Sequence, residues 1–207
     1  MTDGLDLTQA AALGSATVHE AAGRVGALRA DMLPAAHAVS AAGPAFTVQC
    51  PSGDNLWLHR AIAAASPGDV LVVATGDDRA RWGYWGEIMS VAARERGLAG
   101  LVLEGGSRDH GELAHVGFPV WSLGRCITGT VKDPDRDGGA LCGPIRVGDV
   151  SVRPGDLIVA DVDGVVVIER AGASDVIAAA ARRRIDETRI IAELVAGRTT
   201  LDLLGLQ

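Results

Sequence analysis

Arg108 and Asp109 put a guanidinium and a carboxylate side by side, with twenty residues between Glu87 and Arg108 and two between Asp109 and Glu112. The four lie in one stretch, Trp82 to Leu113, with the sequence WGYWGEIMSVAARERGLAGLVLEGGSRDHGEL. It reads as a Gly-rich turn opening a helix over Trp85 to Arg96, a break at Gly97, and an apolar strand over Gly100 to Glu104. A Gly105-Gly106 turn carrying Arg108 and Asp109 follows. A helix N-terminus offers unpaired N–H groups and partial positive charge, so Gly86 to Met89 should form an anion seat. The strand's C-terminal end, where open α/β sheets usually bind ligands, would deliver Arg108 and Asp109 beside it. Asp is a hard oxygen ligand suited to magnesium or manganese. Anion cradle, cation and carboxylate together suit a 2-oxo acid whose carboxylate rests on amides while Asp109 holds a divalent ion against the carbonyl oxygen.

Other chemistries find less support. A Schiff-base aldolase needs a desolvated lysine, and the single lysine, Lys132, lies in KDPDRDGG, which reads as a solvated loop. A metal-dependent route is favoured on that ground alone. Cys50, Cys126 and Cys142 are far apart and odd in number, without a Cys-x-x-Cys, so they read as reduced thiols and not as a disulfide framework or a zinc site. Phosphate-loop and serine-hydrolase motifs are absent. His110 and His115 could be ligands by type, but such histidines more often face solvent. His19 and Glu20 are read as surface residues.

The elements that must position this stretch follow from composition and pattern. At 207 residues with 48% hydrophobic residues, 27 Gly and 3% aromatics, the chain should form one domain with a core of Val, Leu, Ile and Ala. A net charge of −7 gives no electrostatic reason to bind nucleic acid. The N-terminus lacks the charged and apolar regions of a signal peptide, and no apolar run approaches the roughly eighteen residues that a membrane span needs. A cytoplasmic protein without membrane partners is expected.

Along the chain, Leu5 to Gly23 predicts one or two short helices capped by Ser15 or Thr17. Pro34 to Gly43 reads as an Ala-rich connection and Pro44 to Cys50 as a strand. Asp54 is placed to cap a helix over Leu56 to Ala65. Val70 to Ala74 has the wholly apolar run of a strand buried on both faces. Trp82, Tyr84 and Trp85 either wall a pocket or pack the helix start. Phe118 to Ser122 predicts a strand, Thr128 to Leu141 a polar loop, and Pro144 to Val152 a hairpin around Gly148-Asp149. The turn Ser66-Pro67-Gly68-Asp69 recurs as Arg153-Pro154-Gly155-Asp156, each before an apolar strand. Asp161 and Asp163 are turn residues, and Asp163-Gly164 signals a type I′ hairpin between Leu157–Ala160 and Val165–Ile168. Ala173 to Ala196 is a long amphipathic helix stopped by Gly197. This order of elements fits an α/β sandwich with mixed sheets better than a pure doubly wound sheet.

With those residues in register, the chain resembles the 4-hydroxy-4-methyl-2-oxoglutarate / 4-carboxy-4-hydroxy-2-oxoadipate aldolase family. That family's hallmark is an acid, twenty positions, Arg-Asp, two positions and an acid. The resemblance covers about Ala16 to Gly197 and is most specific in the central motif and in Pro154 to Val167 (PGDLIVADVDGVVV). It implies the swivelling β/β/α fold as a single domain, assembled as a homotrimer or homohexamer, with residues 173–207 packing on a neighbouring subunit. It implies a class II, divalent-metal-dependent (Mg2+ or Mn2+) pyruvate aldolase. Such a lyase cleaves a 4-hydroxy-2-oxo diacid to pyruvate and an oxo acid through a metal-stabilised pyruvate enolate, with oxaloacetate decarboxylation as a side activity. Asp109 would hold the metal and Arg108 would face the substrate oxygens. Gly86 and the amides of Glu87, Ile88 and Met89 would seat the pyruvate carboxylate. Glu87 would orient a metal-bound water as base, and Glu187, or Asp186, would arrive from a neighbouring C-terminal helix.

The same family includes the regulator of ribonuclease E activity, whose members lack the Asp of the pair, so Asp109 favours the enzyme branch. Two alternatives stand: a non-catalytic protein-binding regulator of that type, and a metal-dependent lyase on a different 2-oxo acid, which Glu87 and the aromatic cluster keep open.

Overall fold

A computed structural model describes residues 4–35, 40–76 and 80–206. The N-terminal helices are α1 (Leu7–Leu13) and α2 (Ser15–Ala21). Asp6 caps α1 by accepting from Gln9 N, but α2 follows Gly14 with no side-chain cap. The expected cap at Ser15 or Thr17 is therefore not formed. Ser15 gives its N–H and hydroxyl to the Asp161 carboxylate, at 2.7 and 2.6 Å, so a long-range tie replaces the local one.

The sheet strands begin with β1 (Leu33–Pro34) and β2 (Ala41–Gln49). β2 starts inside the stretch read as a connection, because Ala41 to Pro44 pair with a later antiparallel strand. Residues 36–39 of that stretch lie outside the described residues. Helix α3 (Leu56–Ala64) and strand β3 (Val70–Ala74) follow as expected, every residue of β3 being buried. Then come β4 (Gly83–Trp85), α4 (Glu87–Glu95), β5 (Gly100–Ser107), α5 (His110–Val116) and β6 (Val120–Arg125). The remainder is β7 (Ala140–Leu141), β8 (Ile145–Val147), β9 (Val150–Val152), β10 (Leu157–Ala160), β11 (Val165–Ile168), α6 (Ala173–Val195) and α7 (Thr200–Leu204).

One mixed sheet runs β1-β6-β5-β3-β2-β10-β11, with β4 added to β5 and β7 to β2, while β8 and β9 form a separate hairpin. The centre, β2-β3-β5-β6, is parallel and the flanks are antiparallel. Strand alternation divides the core. Leu71, Val73, Leu101 and Leu103 meet Leu58, Ile62, Met89 and Ala93 of α3 and α4. Val70, Val72, Val102 and Trp121 meet the β8–β9 hairpin through Ile145, Val147 and Val152. A third cluster packs α1, α2 and the start of α6 on β10–β11. Each large apolar side chain buried this way contributes roughly 1.5–3 kcal/mol, which is what holds the β5 end and the α4 start rigidly against each other.

Four local expectations are corrected. Gly105 and Gly106 continue β5 and do not form a turn. A Cβ on Gly105 would lie 2.8 Å from the Tyr84 ring, and one on Gly106 2.7 Å from both Trp82 O and Cys126 Cβ, so the two glycines let β4 and the loop after β6 close on the strand. Trp85 ends β4 and the helix starts at Glu87, because Gly83 and Trp85 pair with Gly106 and Ser107. The short helix α5 was not foreseen. The β10–β11 connection has four residues, closed by Asp161 N to Gly164 O at 3.0 Å. Only Gly164 among them has positive φ, so it is not a type I′ turn. The repeated turn does recur. Ser66 N and Arg153 N donate at 2.8 Å to Asp69 and Asp156 respectively, with Gly68 and Gly155 at φ 88° and 85°.

Candidate active site

The site is built where β5 ends beside the start of α4. Its foundation is aromatic. Tyr84 and Trp85 are buried, Tyr84 Oη accepts from Gly53 N at 2.8 Å, and Trp85 Nε1 donates to Ser90 Oγ at 2.6 Å while its ring stacks on Phe118. Tyr84 and Trp85 therefore pack the helix start, while Trp82 is only partly buried against the same core. Arg108 N donates to Trp85 O at 2.9 Å, which sets the end of β5 against the residue preceding Gly86.

Past that bond the chain turns sharply. Asp109 adopts a left-handed conformation, φ 58° and ψ 39°, and is the N-cap of α5, its carbonyl accepting from Leu113 N at 2.8 Å. For a non-Gly residue this conformation costs on the order of 1–3 kcal/mol and tends to occur at functional positions. It brings the carboxylate to the start of α4, where Asp109 Oδ2 accepts from Glu87 N at 3.1 Å and lies 3.8 Å from Arg108 Nε. Both side chains stay half-exposed, at 44% and 42%. A Cβ on Gly86 would stand 2.2 Å from Asp109 Oδ2 and 3.2 Å from Arg108 Cγ, so the missing side chain is what lets the pair lie against the helix.

This arrangement changes the anion seat. Of the three amides expected to hold a substrate carboxylate, that of Glu87 already serves Asp109. Those of Ile88 and Met89 have no hydrogen bond to a described residue and remain oriented by the helix dipole. The Glu87 carboxylate and Ile88 are exposed on the first turn of α4, and Glu112 is exposed on α5. Asn55 lies against the start of α4, its Nδ2 3.5 Å from Met89 Sδ. Its Nδ2 donates to Tyr84 O at 2.9 Å and its buried Oδ1 has no hydrogen-bond partner among the described residues. Asp54 is structural but is not the N-cap read for it: Asn55 holds that position without a side-chain cap bond, and Asp54 accepts from Leu56 N and Asp133 N, both at 2.7 Å.

Several residues are not brought here. Glu187 pairs with Arg183 at 2.8 Å along α6, and Asp186 with Arg189 at 3.7 Å; α6 packs on α1 and α2 and not on α4 or α5. Glu20 sits in the same network, where Arg24 beside it holds its carboxyl below the ordinary value. Lys132 is exposed. His115 is exposed and bonded to Gly111 O, but His110 is half-buried with both ring nitrogens engaged, which contradicts the solvent-facing reading for it. Cavities of about 490, 620, 220 and 270 Å³ lie elsewhere, and none is lined by Gly86, Arg108 or Asp109. In a single chain the Arg108 and Asp109 side chains are accessible to solvent.

Among the described residues no three His, Cys, Asp or Glu side chains cluster as a metal cage. The donor set still fits a hard ion that keeps most of its water. Asp109 Oδ1 is free of hydrogen bonds from described residues, its side chain is accessible, and magnesium usually takes one or two carboxylates with waters and substrate oxygens.

Comparison with known proteins gives the following. The family model described as RraA-like, Aldolase/RraA, matches residues 15–167. A protein of Halalkalibacterium halodurans named "Putative 4-hydroxy-4-methyl-2-oxoglutarate aldolase" is 39% identical over 145 residues, 70% of this chain and 67% of its own. An uncharacterized Pseudomonas syringae protein of known structure superposes with a TM-score of 0.82 at 28% identity, covering 93% of this chain and 89% of that one. Streptomyces coelicolor RraAS2, described as an unusual member of the RNase ES inhibitor RraA family, superposes with a TM-score of 0.74 at 26% identity, covering 95% and 98%. No helix among the described residues is long and apolar enough to cross a membrane.

Proposed function

Because the chain belongs to the RraA-like family, which joins aldolases with RraA proteins, we propose that it is a divalent-metal-dependent lyase. In this reading it cleaves a 4-hydroxy-2-oxo diacid to pyruvate and a second oxo acid. The observation that carries the reading is the contact of the Arg108–Asp109 pair with the α4 N-terminus, because a 2-oxo acid needs an anion seat, a cation and a hard carboxylate within one ligand's reach.

In retro-aldol cleavage the C3–C4 bond electrons move onto the 2-oxo group, and the group that meets that charge lowers the barrier. A magnesium or manganese ion held by Asp109 would supply Lewis acidity at that oxygen. The chain's own residues do the rest. The Ile88 and Met89 amides bind the pyruvate carboxylate. Arg108, a permanent cation with fork geometry, faces the oxygens on which charge accumulates. Glu87 orients the water that takes the C4 hydroxyl proton and later returns a proton to C3. Losing carbon dioxide from oxaloacetate leaves the same enolate, so decarboxylation accompanies the aldol activity.

The exposure of Arg108 and Asp109 supports a second copy covering them, with Glu187 arriving from a neighbour's C-terminal helix in a trimer or hexamer. The non-catalytic reading draws on the likeness to RraAS2. The reading as a lyase of another 2-oxo acid rests on Glu87 and the partly buried Trp82, since Tyr84 and Trp85 are buried. The test is pyruvate release coupled to lactate dehydrogenase, with and without magnesium, on hydroxymethyl-oxoglutarate, carboxy-hydroxy-oxoadipate and oxaloacetate. Magnesium-dependent release is expected, and silence on all three substrates would overturn the reading.

A further inference from the structure

The geometry points to His110 as a positioning residue that, with Ser107 and Ser122, clasps the turn holding Arg108 and Asp109 and thereby aims the Asp109 carboxylate. The turn has four residues, Ser107 to His110, and its two end side chains meet: Ser107 Oγ lies 3.0 Å from His110 Nε2. The other ring nitrogen, Nδ1, is 3.1 Å from Ala35 O. A carbonyl only accepts, so Nδ1 carries the proton, and in the neutral ring Nε2 accepts from the Ser107 hydroxyl. Ser107 Oγ in turn accepts from Ser122 Oγ of β6 at 2.8 Å, a shorter bond than the 3.4 Å alternative from Ser122 to Gly124 O. Ser107 and Ser122 are both buried.

Each end of this chain is anchored in the sheet. Ala35 N donates to Val120 O at 2.7 Å, and Ser107 O accepts from Cys126 N at 2.9 Å. The clasp therefore ties the turn to both ends of β6. A left-handed non-Gly residue persists only where its surroundings over-determine it. Around Asp109 the backbone bonds from Arg108 N and Leu113 N fix the ends of the turn, and the side-chain bridge from Ser107 to His110 closes across it. Ser107 is itself inaccessible, so the pair is no nucleophile and base despite its chemistry. Its effect passes through Asp109.

The catalytic consequence rests on the functional reading above, but the positioning can be measured without it. His110→Ala and Ser107→Ala are compared with wild type by amide hydrogen exchange at Glu87 and Leu113, the two donors to Asp109. In both variants these amides should exchange about tenfold faster, the order of effect when one hydrogen bond of a buried network is lost. Amides of β3 should be unchanged. In the pyruvate assay each variant should lose about tenfold in kcat with little change in KM, the double variant should lose no more than either single one, and His110→Gln, which keeps an amide near Ser107, should recover part of the loss. Unchanged exchange at Glu87 and Leu113 overturns the clasp, as does acceleration spread evenly over the chain. Should wild type release no pyruvate, the functional reading fails while the exchange data still decide the clasp. Should His110→Ala not fold, the smaller deletion in Ser107→Ala gives the same reading.

Discussion

Asp109 Oδ2 accepts a hydrogen bond from the backbone N–H of Glu87 at 3.1 Å, joining the end of β5 to the first residue of α4 across 22 positions of sequence. This bond occupies one amide of the helix start and orients the carboxylate, leaving Oδ1 without a hydrogen bond from the described residues. Asp109→Asn retains an oxygen able to accept from Glu87 N and removes only the charge. It is expected to fold with wild-type stability and to lose pyruvate release by at least about a hundredfold, with magnesium no longer stimulating the residue of activity. Arg108→Ala should lose on the order of a hundredfold to a thousandfold in kcat, the range for removing one preorganised donor to a developing oxyanion. Arg108→Lys should recover little of it, because a point charge does not reproduce the fork. Steady-state kinetics beside a thermal melt separate these outcomes from unfolding.

Gly86 offers a sharper probe of the same geometry. Its backbone, at φ −158°, is one that any residue adopts, so a substitution there meets no conformational penalty. The added Cβ of Gly86→Ala would stand 2.2 Å from Asp109 Oδ2 and 3.2 Å from Arg108 Cγ, and the half-exposed pair would yield to it. The expected result is a fall of about tenfold or more in kcat/KM with a melting temperature within a few degrees of wild type, since displacement of about an ångström at a reacting centre is costly while surface strain is not.

What the sequence made legible follows from the range of the interactions involved. Val70 to Ala74 announced a doubly buried strand by composition, and the Ser66–Asp69 and Arg153–Asp156 turns by their own local bonds. The Arg108–Asp109 pair and the α4 start were legible as chemistry by residue type and spacing. That they lie beside each other was also read; the direct bond from Glu87 N to Asp109 was not, because it depends on Gly86 lacking a side chain and on Asp109 turning left-handed. The true extent of β5 was hidden for a similar reason: Gly105-Gly106 has the sequence of a turn, and only the approach of Tyr84 and Cys126 makes it strand. The His110 network joins side chains from three elements and a carbonyl 75 positions away, which no local pattern encodes.

His59 yields a pH prediction. Burial, followed by the nearby positive charge of Lys132, pushes its imidazole below the ordinary value of 6.5, and its buried Nε2 has no hydrogen-bond partner among the described residues. The unfolded chain thus binds a proton at a pH where the folded one does not. Stability from this residue is present above about pH 6.5 and is lost as pH falls from there through the lower folded value. In His59→Gln the fall of melting temperature between pH 7 and pH 5 should be shallower than in wild type, and in Lys132→Met slightly shallower. Parallel profiles for wild type and His59→Gln would show that the ring contributes nothing to the acid side.

The C-terminal arm carries the last prediction. In α6 only Ala173, Ile177 and Ala180 are buried, and no residue from Arg182 to Leu206 is. At about 1.5 Å per residue the unburied part of α6 alone extends roughly 20 Å, and together with α7 it leaves Ile185, Ile191, Val195, Leu201, Leu204 and Leu206 at 54% to 85% exposure. Such an apolar surface on a helix that its own chain does not cover is the pattern of an interface. Because the Arg108 and Asp109 side chains are also half-exposed, a neighbouring arm that closes over them would account for both exposures. Ile191→Asp combined with Val195→Asp should leave the helical circular dichroism intact and shift sedimentation at micromolar concentration from a trimer or hexamer toward monomer. Pyruvate release should fall with it by at least about tenfold, as expected when a site loses its cover against water. A wild-type chain that sediments as a monomer while releasing pyruvate at full rate would separate the arm from the site altogether.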